Sequence, residues 1–300
     1  MGVSIVNTSS IYGYIRMAED LMRLHSSFPF IHVESIGESV LGKEIPAVRL
    51  GKGSKSIHVN AAFHANEWIT TTLLMKFIED YAYAVNCEAA LRKTDVGKLF
   101  EDTSLWAVPM VNPDGVELVQ LGLHAGHPFY EELLHWNNSS QNFANWKANV
   151  RGVDLNDQFP AHWEEERERR SVMEPGPRDF TGIAPLTEPE AVAMAYFTCR
   201  HDFQLVIALH TQGREIYWNY RDMEPPEAAA IAELFTQVSG YKAVKLTGSD
   251  AGYKDWFIQE FRRPGFTIEA GFGMNPLPIT QFPQMYEEVA GILLKALEVV

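Results

Sequence analysis

The stretch Ile57-His58-Val59-Asn60-Ala61-Ala62-Phe63-His64-Ala65-Asn66-Glu67-Trp68 decides how this chain is read. Its first half is an apolar run of strand length, and its second half delivers a histidine and a glutamate three residues apart. A neutral imidazole and a carboxylate at i and i+3, where a strand turns into a helix, converge on one point and supply two of the three ligands of a His2Glu zinc set. A core histidine followed by an ordinary first-turn acid has the same appearance. The rest of the chain has to separate the two readings.

Working outward, apolar residues at helical spacing predict a helix from about Trp68 to Val85, with Leu73, Leu74, Phe77, Ile78 and Tyr81 as its buried stripe. Upstream, Ile11 to His25 reads as a helix, and Ile31 to Ile36 with Ile45 to Leu50 as an antiparallel strand pair at a sheet edge. Downstream, Ser104 to Met110 is a short strand, and the turn signal Val111-Asn112-Pro113-Asp114-Gly115 opens a short helix. Gly122 to Asp154 has little periodicity but many aromatics, the mark of a folded, site-forming loop. The charge run Glu164 to Arg170 reads as solvated surface. Thr187 and Glu190 suggest a capping box for a helix ending near Arg200. Strands at Phe203 to Leu209, Glu215 to Trp218, Tyr241 to Leu246 and Gly265 to Glu269 then alternate with helices at Pro225 to Ser239, Asp250 to Phe261 and Phe282 to Val299. That alternation, with no repeat or linker, predicts one α/β domain over residues 1–300: a mixed parallel/antiparallel twisted sheet with helices on both faces.

Composition narrows the function. With 39 acidic and 25 basic residues the formal charge is -14, which opposes general affinity for nucleic acid or an anionic membrane. Cys87 and Cys199 are too few for a disulfide framework and are expected to be free. The first ten residues lack a basic region followed by an apolar core, and no stretch approaches the roughly 18 continuous apolar residues of a membrane span.

In open α/β sheets ligands bind beyond the carboxyl ends of the strands. His64, His210 and Glu269 each follow an apolar run, so each falls at such an end. With Glu67 they provide two imidazoles, one carboxylate ligand and one spare carboxylate, the inventory that metal-assisted hydrolysis requires.

These residues also carry a resemblance. His64-Ala65-Asn66-Glu67, Gly152-Val153-Asp154-Leu155-Asn156, Leu209-His210-Thr211 and Phe266-Thr267-Ile268-Glu269 resemble, in this order, the signature of the zinc carboxypeptidase family over essentially the whole chain. The resemblance implies one zinc ion held by His64, Glu67 and His210, with Glu269 as general base and proton shuttle. It implies that Asn156 binds a substrate carboxylate and that a cation from Trp146 to Arg151, either Lys147 or Arg151, stabilises the oxyanion.

Where the family's ordinary carboxypeptidases carry an arginine that clamps the C-terminal carboxylate, this chain has Asp157. Reversal of charge there calls for a substrate ammonium, and the run Gly152 to Pro160 is similar to the γ-D-glutamyl-meso-diaminopimelate peptidase subgroup. That likeness implies hydrolysis of bacterial cell-wall (murein) peptides between D-Glu and diaminopimelate, with Asp157 facing the ammonium, Arg214 as candidate for the distal carboxylate and Tyr253 as candidate stand-in for the family's mobile tyrosine. The alternatives are a metallocarboxypeptidase or amidohydrolase of the same fold releasing another basic residue, and a non-catalytic binding module. A cytoplasmic location is expected, with a cell-wall or spore setting as the alternative.

Overall fold

Eight strands pair into one mixed sheet in the computed structural model, which describes residues 4–300. Residues 1–3, part of the N-terminal segment searched above for a leader, lie outside the described residues. The strands are β1 (His32–Glu38), β2 (Glu44–Gly51), β3 (Lys55–Ala61), β4 (Thr103–Val108), β5 (Phe203–His210), β6 (Glu215–Tyr217), β7 (Lys242–Val244) and β8 (Gly265–Glu269). The helices are α1 (Tyr14–Ser27), α2 (Ile69–Asn86), α3 (Val96–Asp102), α4 (Pro113–Leu121), α5 (Tyr130–Trp136), α6 (Trp163–Arg170), α7 (Pro189–Cys199), α8 (Ala228–Ser239), α9 (Tyr253–Phe261) and α10 (Phe282–Glu298). Strand order is β1-β2-β4-β3-β5-β8-β6-β7, with β3 parallel to both β4 and β5, and β5 parallel to β8. β1 and β2 form the antiparallel edge that the sequence predicts.

The central strands are apolar because both of their faces are covered. From Ser56 onward every residue of β3 is buried, as befits a parallel strand between helical layers. One layer packs Leu73 and Phe77 of α2, Phe235 of α8 and Leu293 of α10 against Ile57, Val59, Ile207 and Phe266. The other packs Phe159, Met194 and Phe197 of α7, and Tyr253 and Phe257 of α9, against Phe63 and Val206. Helices on both faces are therefore borne out.

Parallel register brings the strand ends together. Ala61 lies opposite Leu209, and His210 opposite Glu269. Beyond Ala61 the chain must turn sharply, and Ala62 does so with φ 51°. An alanine in the left-handed region is strained by about 1 kcal/mol or more, so surrounding bonds have to hold it. Ala62 N donates to Thr70 Oγ1 at 3.0 Å, and Asn112 N donates to Ala62 O at 3.0 Å. Asn112 is wholly buried: its Nδ2 donates to Phe63 O and Ala148 O, both at 3.1 Å, and its Oδ1 accepts from Gly115 N at 3.0 Å. A Cβ on Gly115 would lie 2.6 Å from Asn112 Oδ1, which is why glycine stands there.

Three details differ from the sequence reading. The loop from Gly122 to Asp154 contains α5. α7 is capped at Glu188, and Glu190, instead of closing a capping box, is buried and accepts from Val40 N at 3.1 Å. The charge run forms α6, whose Glu166 is only 1% exposed and accepts from Asp250 N at 2.8 Å. Both cysteines are free, and among the described residues no helix is long and apolar enough to cross a membrane.

Asn112 ties β3, α4 and the segment before Asp154 into one unit through three buried hydrogen bonds. Asn112→Leu is expected to lower stability by about 3 kcal/mol in urea denaturation, at about 1 kcal/mol net per bond. A loss below about 1 kcal/mol would contradict that role.

Candidate metal and catalytic centre

His64 ends the sharp turn in an extended conformation and starts a single 3-10 turn, Ala65–Glu67, which swings Glu67 back onto it. His64 Nδ1 lies 2.9 Å from Glu67 Oε1, and His210 Nδ1 lies 3.0 Å from both Glu67 Oε2 and His64 Nδ1. All three side chains are buried, and their donor atoms lie within 4.8 Å of one another. Two imidazole nitrogens and a carboxylate facing one point satisfy each other poorly by proton sharing alone. A cation accepting all three resolves the arrangement, and an N, N, O set with room for a further ligand suits zinc chemistry. The residues present therefore fit the metal.

Partners outside the ligand set fix its orientation. Glu67 accepts from Thr211 N at 3.1 Å and from Asn275 Nδ2 at 3.3 Å. The other ring nitrogen of His64 lies 3.2 Å from Asp154 Oδ1, whose second oxygen takes Lys147 Nζ at 2.6 Å. A carboxylate behind a metal-ligating imidazole sets its tautomer and raises its basicity. Burial opposes charge on His64, but Glu67 and then Asp154 outweigh it and push its pKa up to about 9. Burial likewise opposes charge on Lys147, yet Asp154 and Asp157 raise its pKa. Glu269 is pushed up to about 8, first by burial and then by the negative charge of Glu67.

A cavity of about 160 Å³ joins His64, His210 and Glu269 to Lys147, Asn156 and Arg170, and extends to Lys254 and Asp255. Of the residues singled out from the sequence, His64, Glu67, His210, Glu269, Lys147 and Asn156 thus meet at one place. The other four do not face it. Arg151 is exposed, lines a separate groove beside β1, and has Glu188 as its nearest carboxylate at 3.7 Å. Arg214 pairs with Glu288 at 2.6 Å and stacks over Tyr241 and Phe272. Tyr253 is fully buried among Phe63, Phe159 and Trp256, its hydroxyl 2.9 Å from Thr198 Oγ1. Asp157, 2% exposed, turns away from the cavity and binds Arg170 Nε at 3.1 Å.

The reason for the Asp157 correction is local. Leu155–Asp157 is a 3-10 turn, so successive side chains diverge by about 120°. Asn156 faces the cavity, and its neighbour cannot. Nothing in the sequence assigns a role to Asp154, although it stands inside the motif Gly152-Val153-Asp154-Leu155-Asn156. Nor does it single out Arg170, because a charge run has no mark distinguishing a cation aimed inward.

Comparison with known proteins agrees with this geometry. The zinc carboxypeptidase (Peptidase_M14) profile matches residues 17–290. The chain is 51% identical over 293 residues to gamma-D-glutamyl-L-diamino acid endopeptidase 1 of Lysinibacillus sphaericus, covering 98% of this chain and 74% of that one. Bovine thrombin-activatable fibrinolysis inhibitor superposes with a TM-score of 0.74 at 16% identity, covering 97% of both chains. Murein-tripeptide amidase MpaA from Escherichia coli O157 superposes with a TM-score of 0.55 at 20% identity, over 88% of this chain and 91% of that one. A buried His-Glu-His cluster at the carboxyl ends of β3 and β5, an acid at the end of β8 and a profile match over nearly the whole length agree: this chain is a metallopeptidase belonging to the zinc carboxypeptidase family.

Proposed function

We propose that the chain hydrolyses the bond between γ-D-glutamate and diaminopimelate in bacterial cell-wall peptides, using one zinc ion held by His64, Glu67 and His210. The observation that carries this reading is the 51% identity, over 98% of the chain, to an endopeptidase named for γ-D-glutamyl-L-diamino acid bonds. The intact donor set, whose two histidines line one cavity with Glu269, supports it.

Zinc, when bound, acidifies a water and polarises a carbonyl oxygen. The remaining work falls to the chain. Glu269 takes a proton from the attacking water and delivers it to the departing nitrogen, so the hydroxyl ends on the glutamyl carbon and the proton on the diaminopimelate amine. A carboxyl group whose pKa is raised to about 8 is, once ionised, a stronger base than an ordinary carboxylate, and it holds the proton until the nitrogen departs. Lys147, held by Asp154, is the cation that faces the oxyanion, and the placement of Arg151 removes it from that role. Asn156 accepts from Tyr253 N through Oδ1 at 3.4 Å, which leaves its Nδ2 to donate to a substrate carboxylate. Release of a basic residue by attraction to Asp157 loses its support, because that carboxylate is spent on Arg170.

Glu269→Gln is expected to lower kcat on L-Ala-γ-D-Glu-diaminopimelate by a factor of at least about 100 while retaining one zinc per chain, given the usual contribution of a general base. Full activity in that variant would remove Glu269 from the mechanism. Since His64 is raised to about 9, it is protonated at pH 7 in the zinc-free protein, and zinc must displace that proton. Zinc uptake at pH 7, followed by calorimetry in buffers of different ionisation heat, should release about one proton, and zinc affinity should fall as the pH is lowered. No proton release would contradict the assigned ligand set.

A further inference from the structure

The leaving group carries a carboxylate on the carbon attached to the scissile nitrogen, so any cation that reads it must share a cavity with the His-Glu-His cluster and Glu269. Three cations line that cavity: Lys147, Lys254 and Arg170. Two are committed elsewhere. Lys147 is held by Asp154 beside His64, and Lys254 donates to Asn219 O at 2.8 Å and to the carboxylate of Asp255.

Arg170 differs in how its donors are used. It ends α6, with Nε 3.1 Å from Asp157 Oδ2 and 2.7 Å from Glu166 Oε1. Nη1 lies 3.1 Å from Asp179 Oδ1, and Nη2 3.4 Å from Asp157 Oδ1. A guanidinium has five N–H groups in a planar fork. Hydrogen bonds take one N–H on each terminal nitrogen, while Nε makes ion-pair contacts only, which leaves one free N–H on each terminal nitrogen. Two parallel N–H groups are what a carboxylate takes bidentately. Asp157, Glu166 and Asp179 fix the side chain before substrate arrives, so little rotamer entropy is lost on binding.

We propose that Arg170 is the specificity residue for the leaving group, with its guanidinium and Asn156 Nδ2 together binding the carboxylate next to the scissile nitrogen, and that Asp157 is the positioning residue that aims it. Charge at residue 157 is therefore not what the substrate meets. What lines the cavity is the guanidinium from the end of α6, which pairs with that acid. The assignment rests on the proposed cleavage, because it takes its ligand to be the diamino acid released.

The test is calorimetric titration of the zinc-loaded protein with meso-diaminopimelate and with the monoamide of its L-centre carboxylate. Wild type should bind the free acid about 100-fold more tightly than the amide, the usual span for a charge-assisted bidentate contact. Arg170→Gln should remove that preference, leaving amide affinity within about threefold, whereas Arg170→Lys should keep part of it. Asp157→Asn should weaken acid binding by a smaller factor through loss of aim. Equal affinity of wild type for acid and amide would overturn the proposal without any variant, as would an Arg170→Gln protein of unchanged melting temperature that keeps the preference. Cleavage is scored separately on the tripeptide. A wild type that binds the acid selectively but does not cut would sink the cleavage reading and leave Arg170 in place, and one that cuts without discriminating the acid would do the reverse.

Discussion

Three parallel strands that end side by side are the constraint on which the rest of this molecule depends. β3, β5 and β8 are adjacent and in register, so whatever follows their last apolar residues is brought together beyond one edge of the sheet. The chain places His64 and Glu67 after the first, His210 at the end of the second and Glu269 at the end of the third. Parallel strands need crossovers, and the crossovers supply the helices that bury both faces. The same architecture that makes the core therefore makes the site, and the strained turn at Ala62 with its Asn112 staple is where the two are joined.

Around that point the buried charges are organised as linked pairs. Glu67 lies between two imidazoles, His64 between Glu67 and Asp154, and Asp154 between His64 and Lys147. Each group has an opposite or neutral partner, which is the condition under which buried charge is tolerable. Glu67 and Asp154 favour a proton on His64 against the cost of burial, and a metal cation held by the cluster would take that proton's place. Asp157 and Arg170 form a second unit at the cavity wall, and it is the guanidinium of that pair that reaches the cavity.

Much of this was legible in the sequence because apolar runs mark strand ends, and strand ends mark sites in α/β sheets. His64, His210 and Glu269 were found that way, and the mixed sheet followed from alternation. What was not legible depends on direction and distance. Asn156 and Asp157 are adjacent in sequence, but a 3-10 turn points them apart, and no pattern in Asn-Asp-Gln shows that turn. Lys147 and Arg151 lie on an irregular segment with no period to tell inward from outward. The run Glu-Glu-Glu-Arg-Glu-Arg-Arg reads as surface by any local rule, yet Glu166 is buried and accepts from Asp250 N, 84 residues on, and half-buried Arg170 pairs with Asp157, 13 residues back. The neighbours of Tyr253 in sequence suggest a catalytic tyrosine, but Phe63 and Phe159, which pack on it together with Trp256 of its own helix, come from turns far along the chain.

Everything proposed for this cavity turns on the cleavage of one bond, between D-Glu and diaminopimelate. The most direct measurement is mass analysis of the products from L-Ala-γ-D-Glu-meso-diaminopimelate treated with the protein at one zinc per chain. L-Ala-D-Glu and free diaminopimelate are the two products expected. Release of L-Ala, or an intact tripeptide at full zinc occupancy, would contradict that cleavage.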